Sequence, residues 1–444
     1  MQKKIFSSLR SAQGCESADA IERILRTSLE AANPADAIMR RFARELNLLR
    51  VNGQEYPLKN FNAVYLIAVG KAAKSMTNAA ETVLGKYLTA GIVVSKAQSS
   101  DEKHSKKLTY ISASHPIPDA QSLRAGKKIL GFLEKTTAND LVIFLISGGG
   151  SALITVPVDD ISLADMGQLT ALLLGCGARI DEMNILRRAL DRVKGGGLAK
   201  TASPAQIITL LLSDVVNSPL EAIASGPTVP NPTNNRDALA ILKKYDLLLQ
   251  TPPAILGALE KNDDLEDGRY FSKGNTSVIG SNLISAKAAK LQAKREGFNT
   301  QIITTSLQGE AAQVGSKLAK RLRSENTQRP FCLIYGGEST VTLNHATGQG
   351  GRNQELALAA VKKLAGTEKV MLITLATDGE DGPTDSAGAI VTGESFAYAQ
   401  KLGLDINAHL HEHNAYPFFD ALNDLIKIGS TGTNVNDLTF LFAF

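Results

Sequence analysis

Short apolar runs alternate with longer segments in which apolar residues recur at helical spacing along most of the chain. This alternation predicts an α/β fold, with helices covering both faces of parallel-rich sheets. In the first half, it predicts strands at 63–69, 91–95, 141–146 and 207–212 and a helix at 72–84. In the second half, it predicts strands at 278–279, 300–304, 331–335 and 370–375 and helices at 282–296, 310–324 and 353–365.

A proline-rich segment separates the two halves. Residues 226–233 contain three prolines, which interrupt helices and are excluded from central strands. We therefore predict two α/β domains, 1–235 and 236–444, facing a cleft. It stays open whether the C-terminal strand near 433–440 packs back on the first domain.

Composition narrows the class of protein. The 444 residues are 43% hydrophobic and 21% charged, as expected for a folded globular chain. The net charge of +4 does not predict a nucleic-acid or membrane surface. The three cysteines are far apart, and neither a signal peptide nor an apolar run of spanning length is present. We predict a cytoplasmic protein that binds neither nucleic acid nor membrane.

Glycine-rich turns follow several predicted strands and precede predicted helices. Such turns allow close approach of the backbone to an anion, so together they predict a polyphosphate site, although any one alone fits a flexible turn equally well. None matches the phosphate loop of Walker-type nucleotidases or a dinucleotide-binding fingerprint. The turns contain Ser147-Gly148-Gly149-Gly150-Ser151, Gly195-Gly196-Gly197, Gly336-Gly337-Glu338-Ser339 and Gly348-Gln349-Gly350-Gly351.

Three basic residues stand beside these turns. Lys71 lies between a predicted strand and helix, and Arg352 occupies the equivalent place in the second half. Both are candidates for phosphate or carboxylate binding. Lys194, before the triple glycine at 195–197, fits either a phosphate contact or a cation at a helix C-terminus.

Acidic residues occupy two further strand ends. Asp214 follows a predicted strand and is a candidate to deprotonate an incoming hydroxyl. Residues 377–385 carry Asp378 and Asp381, whose oxygens suit Mg²⁺, although a simple turn stabilised by aspartate explains them too. His115, between a predicted strand and two prolines, fits either substrate carboxylate binding or packing.

These motifs together resemble the class II glycerate 2-kinases, whose C-terminal half is called MOFRL. The resemblance runs in order from about residue 15 to residue 444. It is carried by Val69-Gly70-Lys71-Ala72-Ala73, Ser114-His115-Pro116-Ile117-Pro118-Asp119, Ser147-Gly148-Gly149-Gly150-Ser151, Val193-Lys194-Gly195-Gly196-Gly197, Leu212-Ser213-Asp214, Ile223-Ala224-Ser225-Gly226-Pro227-Thr228, Gly337-Glu338-Ser339-Thr340, Gly350-Gly351-Arg352-Asn353-Gln354-Glu355, Thr377-Asp378-Gly379-Glu380-Asp381-Gly382-Pro383-Thr384-Asp385 and Thr431-Gly432-Thr433-Asn434.

The resemblance implies two Rossmann-like domains and ATP-dependent phosphorylation of D-glycerate at its 2-hydroxyl, with Mg²⁺ required. It implies that Lys71, Asp214 and Arg352 are catalytic. We hypothesise that Lys71 and Arg352 hold the transferred phosphoryl group, and in addition the glycerate carboxylate, while Asp214 acts on the hydroxyl. Mg²⁺ is placed near Asp378 and Asp381. The expected substrate- or phosphate-binding residues are Ser147, Gly148, Gly149, Gly150, Ser151, Lys194, Gly336, Gly337 and Glu338.

The sequence also leaves alternative functions open and suggests the partners. Some relatives of the family have been labelled hydroxypyruvate reductases, so a nicotinamide-dependent reductase is one alternative function, weakened by the missing dinucleotide fingerprint. A sugar-phosphate-binding regulator without turnover is a further alternative. The expected partners are the small molecules D-glycerate and ATP, and the protein is expected to be a monomer or a homodimer.

Overall fold

The computed structural model describes residues 9–13, 15–96, 105–158, 160–261, 268–343 and 347–444. The strands are β1 (Phe42–Glu45), β2 (Leu48–Val51), β3 (Gln54–Pro57), β4 (Ala63–Val69), β5 (Ala90–Ser95), β6 (Leu108–Ser112), β7 (Asp140–Ile146), β8 (Gln206–Leu212), β9 (Gly274–Gly280), β10 (Asn299–Leu307), β11 (Phe331–Gly337), β12 (Val370–Ala376), β13 (Gly388–Thr392), β14 (Leu425–Ile426) and β15 (Asp437–Ala443).

Helices connect most of the strands, which confirms the α/β class. None in the described ranges is long and apolar enough to cross a membrane. The helices are α1 (Ala18–Ala32), α2 (Pro34–Arg41), α3 (Ala73–Leu84), α4 (Ala120–Leu133), α5 (Gly150–Leu153), α6 (Leu163–Gly175), α7 (Ile180–Ala189), α8 (Gly197–Ala202), α9 (Asn235–Lys244), α10 (Pro253–Leu259), α11 (Asn282–Arg295), α12 (Ala311–Ser324), α13 (Arg352–Leu364), α14 (Ser395–Lys401), α15 (Ile406–His411) and α16 (Ala415–Leu422).

The first large sheet has the strand order β6-β5-β4-β7-β8-β9. The pairs β5–β6, β4–β5, β4–β7 and β7–β8 are all parallel. β4 and β7 pair without interruption from Ala63 and Asp140 to Val69 and Ile146, so both strands end at the same level. β7 is buried along its whole length, as its continuous apolar run requires. The carboxyl ends of these strands therefore share one edge of the sheet.

The second large sheet has the order β10-β11-β15-β12-β13-β14 and is mixed. β10 and β11 are parallel, whereas β15 is antiparallel to both β11 and β12. This sheet contains fewer parallel pairs than predicted because the C-terminal strand is inserted between β11 and β12. The C-terminal strand β15 thus belongs to the second sheet.

Helix α1 covers one face of this second sheet. Alternate residues of β15 enter two different apolar clusters: Phe440 and Phe442 on one face, Leu441 and Ala443 on the other. Because both faces of the strand are apolar, both need covering, and buried residues of α1 and α11 join the cluster that contains Phe440 and Phe442.

The chain forms two compact units whose limits differ from the predicted boundary near residue 235. One is Pro34–Ile279, and the other combines the described residues up to Asn33 with Gly280–Phe444. Residues 236–279 belong to the first of these because α9 and α10 share an apolar cluster with α6 and α7, and because β9 extends the first sheet. An antiparallel sheet, β1-β2-β3, also lies in this unit.

Candidate active site

Three chemically active loops meet at the carboxyl edge of the first sheet. β4, β7 and β8 are adjacent in the sheet, and they lead into Gly70-Lys71, Ser147–Ser151 and Ser213-Asp214 respectively. In an open parallel sheet, this edge is where ligands bind. The structure therefore brings together side chains that are far apart in the sequence.

Hydrogen bonds join the first two loops. The Lys71 N–H donates to the carbonyl of Gly148 at 2.9 Å, and the Ala72 N–H donates to Ser147 Oγ at 3.0 Å. Gly70 has a φ of +129°, and a Cβ at this position would overlap Ser147 Oγ. A side chain at residue 70 would thus separate the loops, which explains the glycine before the lysine.

The glycines of the turn at 147–151 make room for reactive side chains. A Cβ on Gly148 would overlap Oδ2 of Asp214. A Cβ on Gly149, which has a φ of +80°, would lie 2.9 Å from His115 Cδ2 and 3.3 Å from Lys71 Cγ. Asp214, His115 and Lys71 therefore all approach the bare backbone of this one turn.

The surroundings of this turn shift the pKa values of Asp214 and His115. Burial raises the pKa of Asp214, and its own backbone N–H and the Lys71 ammonium only partly offset that effect. No side chain in the described ranges donates a hydrogen bond to its carboxylate. Burial lowers the pKa of His115, and Lys71 and Lys96 lower it further, so its imidazole is neutral near pH 7.

The turn also offers unused donors. Among the described residues, none accepts a hydrogen bond from the backbone N–H of Gly148 or Gly149. Lys71 is exposed and forms no ion pair with any described residue. Backbone donors beside a free ammonium make this turn a suitable place for an anion.

Lys194 is buried in an ion pair, whereas the resemblance implied that it binds substrate or phosphate. It is 5% exposed, and its ammonium forms an ion pair with Asp191 and a hydrogen bond of 3.4 Å to the Ile154 carbonyl. Burial lowers the pKa of Lys194 although Asp191 opposes this effect. The ammonium thus faces Asp191 instead of solvent.

Arg352 begins α13 in the other unit and is held by two carboxylates. Its Nε lies 2.6 Å from Asp437 Oδ2, and its guanidinium also lies 2.9 Å from Glu338 Oε1. Burial would lower the pKa of Arg352, but the hydrogen bond and charge of Asp437 raise it overall. Its side chain is 28% exposed.

Gly336 and Gly337 are buried at the end of β11 and allow close packing. A Cβ on Gly336 would overlap Oδ1 of Asn282, and one on Gly337, where φ is +142°, would overlap the backbone of Leu307. Both glycines are therefore needed for close packing. From the sequence alone, this need looks the same as the predicted phosphate contact.

Asp381 caps a helix. Its Oδ1 accepts from the Asn353 N–H at 3.1 Å and its Oδ2 from the Gln354 N–H at 2.8 Å, both in the first turn of α13. Burial and the nearby Asp437 raise the pKa of Asp381 to about 7. Because both oxygens are engaged with the helix, Asp381 does not fit a direct metal ligand.

Asp378 is half-buried and less constrained. It accepts hydrogen bonds from Asn434 Nδ2 at 3.2 Å and from the Glu380 N–H at 3.2 Å. Burial raises its pKa. The described part of the chain contains no group of three or more His, Cys, Asp or Glu side chains that could hold a metal ion. Asp378 alone therefore fits a carboxylate ligand of a metal that is held mainly by other groups.

Comparison with known proteins places the chain in a family. Residues 20–260 match the family described as "Domain of unknown function (DUF4147)", and residues 331–437 match the MOFRL family. The "Glycerate 2-kinase" of Pyrococcus horikoshii is 39% identical, over 94% of this chain and 95% of that protein. The chain belongs to the class II glycerate kinase family.

Two further comparisons agree with membership of the class II glycerate kinase family. The "D-glycerate 2-kinase" of Thermotoga maritima is 38% identical over 94% of this chain and 95% of that protein. The crystal structure of a glycerate kinase from the same organism matches with a TM-score of 0.85 and 36% identity, covering 96% of this chain and 99% of that chain.

Sequence reasoning missed one part of the candidate site in this class II glycerate kinase family member. The segment Ile223–Ser225 approaches the turn at 147–151, and the hydroxyls of Ser151 and Ser225 lie 2.9 Å apart. The signal was present, since residues 223–228 form one of the motifs of the resemblance, but the prolines that follow favoured a domain junction.

Proposed function

We propose that this protein is an ATP-dependent glycerate 2-kinase, which converts D-glycerate and ATP to 2-phosphoglycerate and ADP. The observation that carries the proposal is the Asp214 carboxylate, which lies against Gly148 without a described side-chain donor, at the same turn as Lys71. A carboxylate and an ammonium in this arrangement are what transfer of a phosphoryl group to a hydroxyl needs. Family membership supports the same conclusion.

In the proposed mechanism, Asp214 orients the 2-hydroxyl of glycerate and accepts its proton. The hydroxyl oxygen forms a bond to the γ-phosphorus of ATP as the bond to the bridging oxygen of ADP breaks. Lys71 stabilises the negative charge on the transferred group, and the unused N–H groups of Gly148 and Gly149 bind a phosphate oxygen. The raised pKa of Asp214 makes it a stronger base than an exposed aspartate.

We propose that Arg352 acts on the same phosphoryl group. Its partly exposed side chain and the two carboxylates that orient it support this role, because a fixed planar guanidinium binds phosphate with two parallel hydrogen bonds. We assign Lys194 to the structural ion pair with Asp191. Gly336 and Gly337 keep a packing role, and Glu338 orients Arg352.

Mg²⁺ is proposed to accompany ATP. Magnesium binds phosphate oxygens together with one or two carboxylates and, when bound, offsets the phosphate charge. Asp378 is the candidate carboxylate, whereas Asp381 is committed to the start of α13.

We also propose a cytoplasmic location, supported by the free cysteines Cys15, Cys176 and Cys332.

A product assay tests the proposed function. The purified protein with ATP, Mg²⁺ and D-glycerate should release ADP only when glycerate is present. Enolase added to the mixture should convert the product directly to phosphoenolpyruvate, because enolase accepts 2-phosphoglycerate and not 3-phosphoglycerate. Oxidation of NADH by hydroxypyruvate without ATP would instead show a reductase, and binding of glycerate without ADP release would show a binding protein.

A further inference from the structure

Arg187 is a half-buried cation with little to bind. It lies in α7, and one of its terminal nitrogens donates to Asn184 Oδ1 at 3.2 Å. It forms no ion pair with any residue in the described ranges. Arginine has five N–H donors and carries its charge at every physiological pH, so a single amide contact leaves most of its N–H groups without an acceptor among the described residues.

Its charged neighbours, by contrast, are satisfied. Arg188 donates to Asn231 Oδ1 at 2.9 Å, to Thr233 Oγ1 at 3.2 Å and to the Glu221 carbonyl at 3.4 Å. Lys194 is paired with Asp191. The same part of the unit therefore provides acceptors for the buried cations Arg188 and Lys194, but among the described residues only one for Arg187.

Hydrogen bonds connect Arg187 to the turn at 147–151. Asn184 Oδ1 accepts from both Arg187 and the Ser225 hydroxyl, the latter at 3.4 Å, and Ser225 in turn contacts Ser151. With its oxygen used in this way, Asn184 has an amide NH₂ group without an acceptor among the described residues. The cluster of Arg187, Asn184, Ser225 and Ser151 is thus rich in donors and has no carboxylate of its own.

We infer that Arg187 and Asn184 bind the carboxylate of the hydroxy-acid substrate. A planar guanidinium matches a carboxylate with two parallel hydrogen bonds, and the missing acceptor of this cluster is an anion. The inference rests on the proposed function and names the residues that recognise its acceptor. It replaces the earlier expectation that Lys71, Arg352 or His115 binds this carboxylate.

The spacing along the turn suits a small substrate. Asp214 approaches the turn at Gly148 and Ser225 approaches it at Ser151, three residues later. In a 2-hydroxy acid, the hydroxyl and the carboxylate stand on adjacent carbons, so one short molecule offers a hydroxyl to Asp214 and a carboxylate to Arg187 and Asn184.

Steady-state kinetics of Arg187→Gln test the inference. Loss of a charge-assisted hydrogen bond should raise the KM for D-glycerate roughly 10- to 100-fold. The KM for ATP should change less than about twofold, because the inference places the substituted group on glycerate. Arg187→Lys keeps the charge without the fork and should give an intermediate KM. Arg192→Gln is the matched control, since Arg192 is exposed in the same unit.

A binding measurement separates this inference from the proposed function. Calorimetric titration of D-glycerate into the protein without ATP should give a Kd that rises for Arg187→Gln and not for Arg192→Gln. If the wild-type protein binds glycerate in this Arg187-dependent way but releases no ADP, the proposed function fails and the inference stands. An unchanged Kd, or a raised KM for ATP instead of glycerate, overturns the inference. If Arg187→Gln does not fold, an Arg187→Lys variant with normal thermal stability and unchanged glycerate affinity overturns it equally.

Discussion

At the scale of single residues, absent side chains determine this site as much as present ones. Gly148 leaves the space that the Asp214 carboxylate occupies, and Gly149 leaves the space between His115 and Lys71. The catalytic geometry therefore depends on backbone that no side chain covers. Glycine at residue 148 is required for proximity, because its contact is with the reactive carboxylate itself.

Gly148→Ala should lower kcat on the order of 10²-fold while the fold is retained, because the added methyl displaces Asp214. The measurement is the glycerate-dependent rate of ADP release together with a thermal denaturation curve. Gly131→Ala is the control: it lies in α4 with nothing within 4 Å of the added Cβ, and it should leave the rate unchanged. Equal rates for both variants would contradict the proposed place of Asp214.

The acid limb of the pH–rate profile should reflect Asp214. The ionised carboxylate is the active form, and burial raises its pKa above the usual ~3.9 of aspartate. Activity should therefore fall as pH drops, beginning at a higher pH than an exposed aspartate would give. The measurement is kcat/KM for glycerate between about pH 4 and pH 8.

Lys71→Gln should move this limb to still higher pH in the residual activity, because the ammonium lowers the pKa of Asp214. Lys96→Gln removes a nearby charge that acts on His115 and should leave the limb in place. A limb within the ordinary carboxyl range, insensitive to Lys71, would assign the titration to a different group.

At the scale of elements, strand ends and helix starts supply the reactive groups. β4, β7 and β8 deliver Lys71, the glycine turn and Asp214 to one edge, while α13 begins with Arg352. Asp381 holds the first turn of α13 through two backbone N–H groups. The orientation of Arg352 therefore depends on the capping of its own helix.

Asp381→Ala should lower the free energy of unfolding by about 1–3 kcal/mol, because it leaves two helix donors buried without acceptors. Chemical denaturation measures this change. Asp378→Ala removes a half-buried carboxylate with weaker backbone contacts and should cost less than about 1 kcal/mol. Full stability of Asp381→Ala, combined with a higher Mg²⁺ requirement, would return Asp381 to the role of metal ligand.

The elements that carry the reactive residues are also the ones that sequence patterns predict well. The strand at 63–69 and the loops at Lys71 and Asp214 follow from apolar runs and small-residue turns, which are local signals. Arg187 could not be found this way, because its role depends on the contact between Ser151 and Ser225. The burial of Lys194 depends equally on tertiary packing, although its partner Asp191 is only three residues away.

At the scale of the whole molecule, the two candidate cations belong to different units. Lys71 lies within Pro34–Ile279 and Arg352 within Gly280–Phe444. The sequence placed the boundary near 235, because prolines at 227–232 are a strong local signal, whereas the packing of α9 and α10 on α6 and α7 is not. The rates of single and double variants test whether both cations act in the same step.

Lys71→Ala and Arg352→Ala should each lower kcat on the order of 10²–10³-fold, and the double variant should be much less impaired than the product of the two effects. Groups that stabilise the same transferred phosphoryl give such non-additive losses. Arg50→Ala, an exposed arginine of β2, is the control and should keep full activity alone. Multiplied losses in the double variant would show that the cations act in separate steps.

The central place of β15 has a consequence for biosynthesis. β11 and β12 have no hydrogen bonds to each other in the described structure and are joined only through residues 437–443. While the ribosome is still adding the preceding residues, that half of the molecule lacks its middle strand, and the apolar surfaces awaiting Phe440 and Phe442 stay uncovered. The continuous segment Pro34–Ile279 has no such wait, so we expect it to fold during translation and the remainder to complete its sheet afterwards.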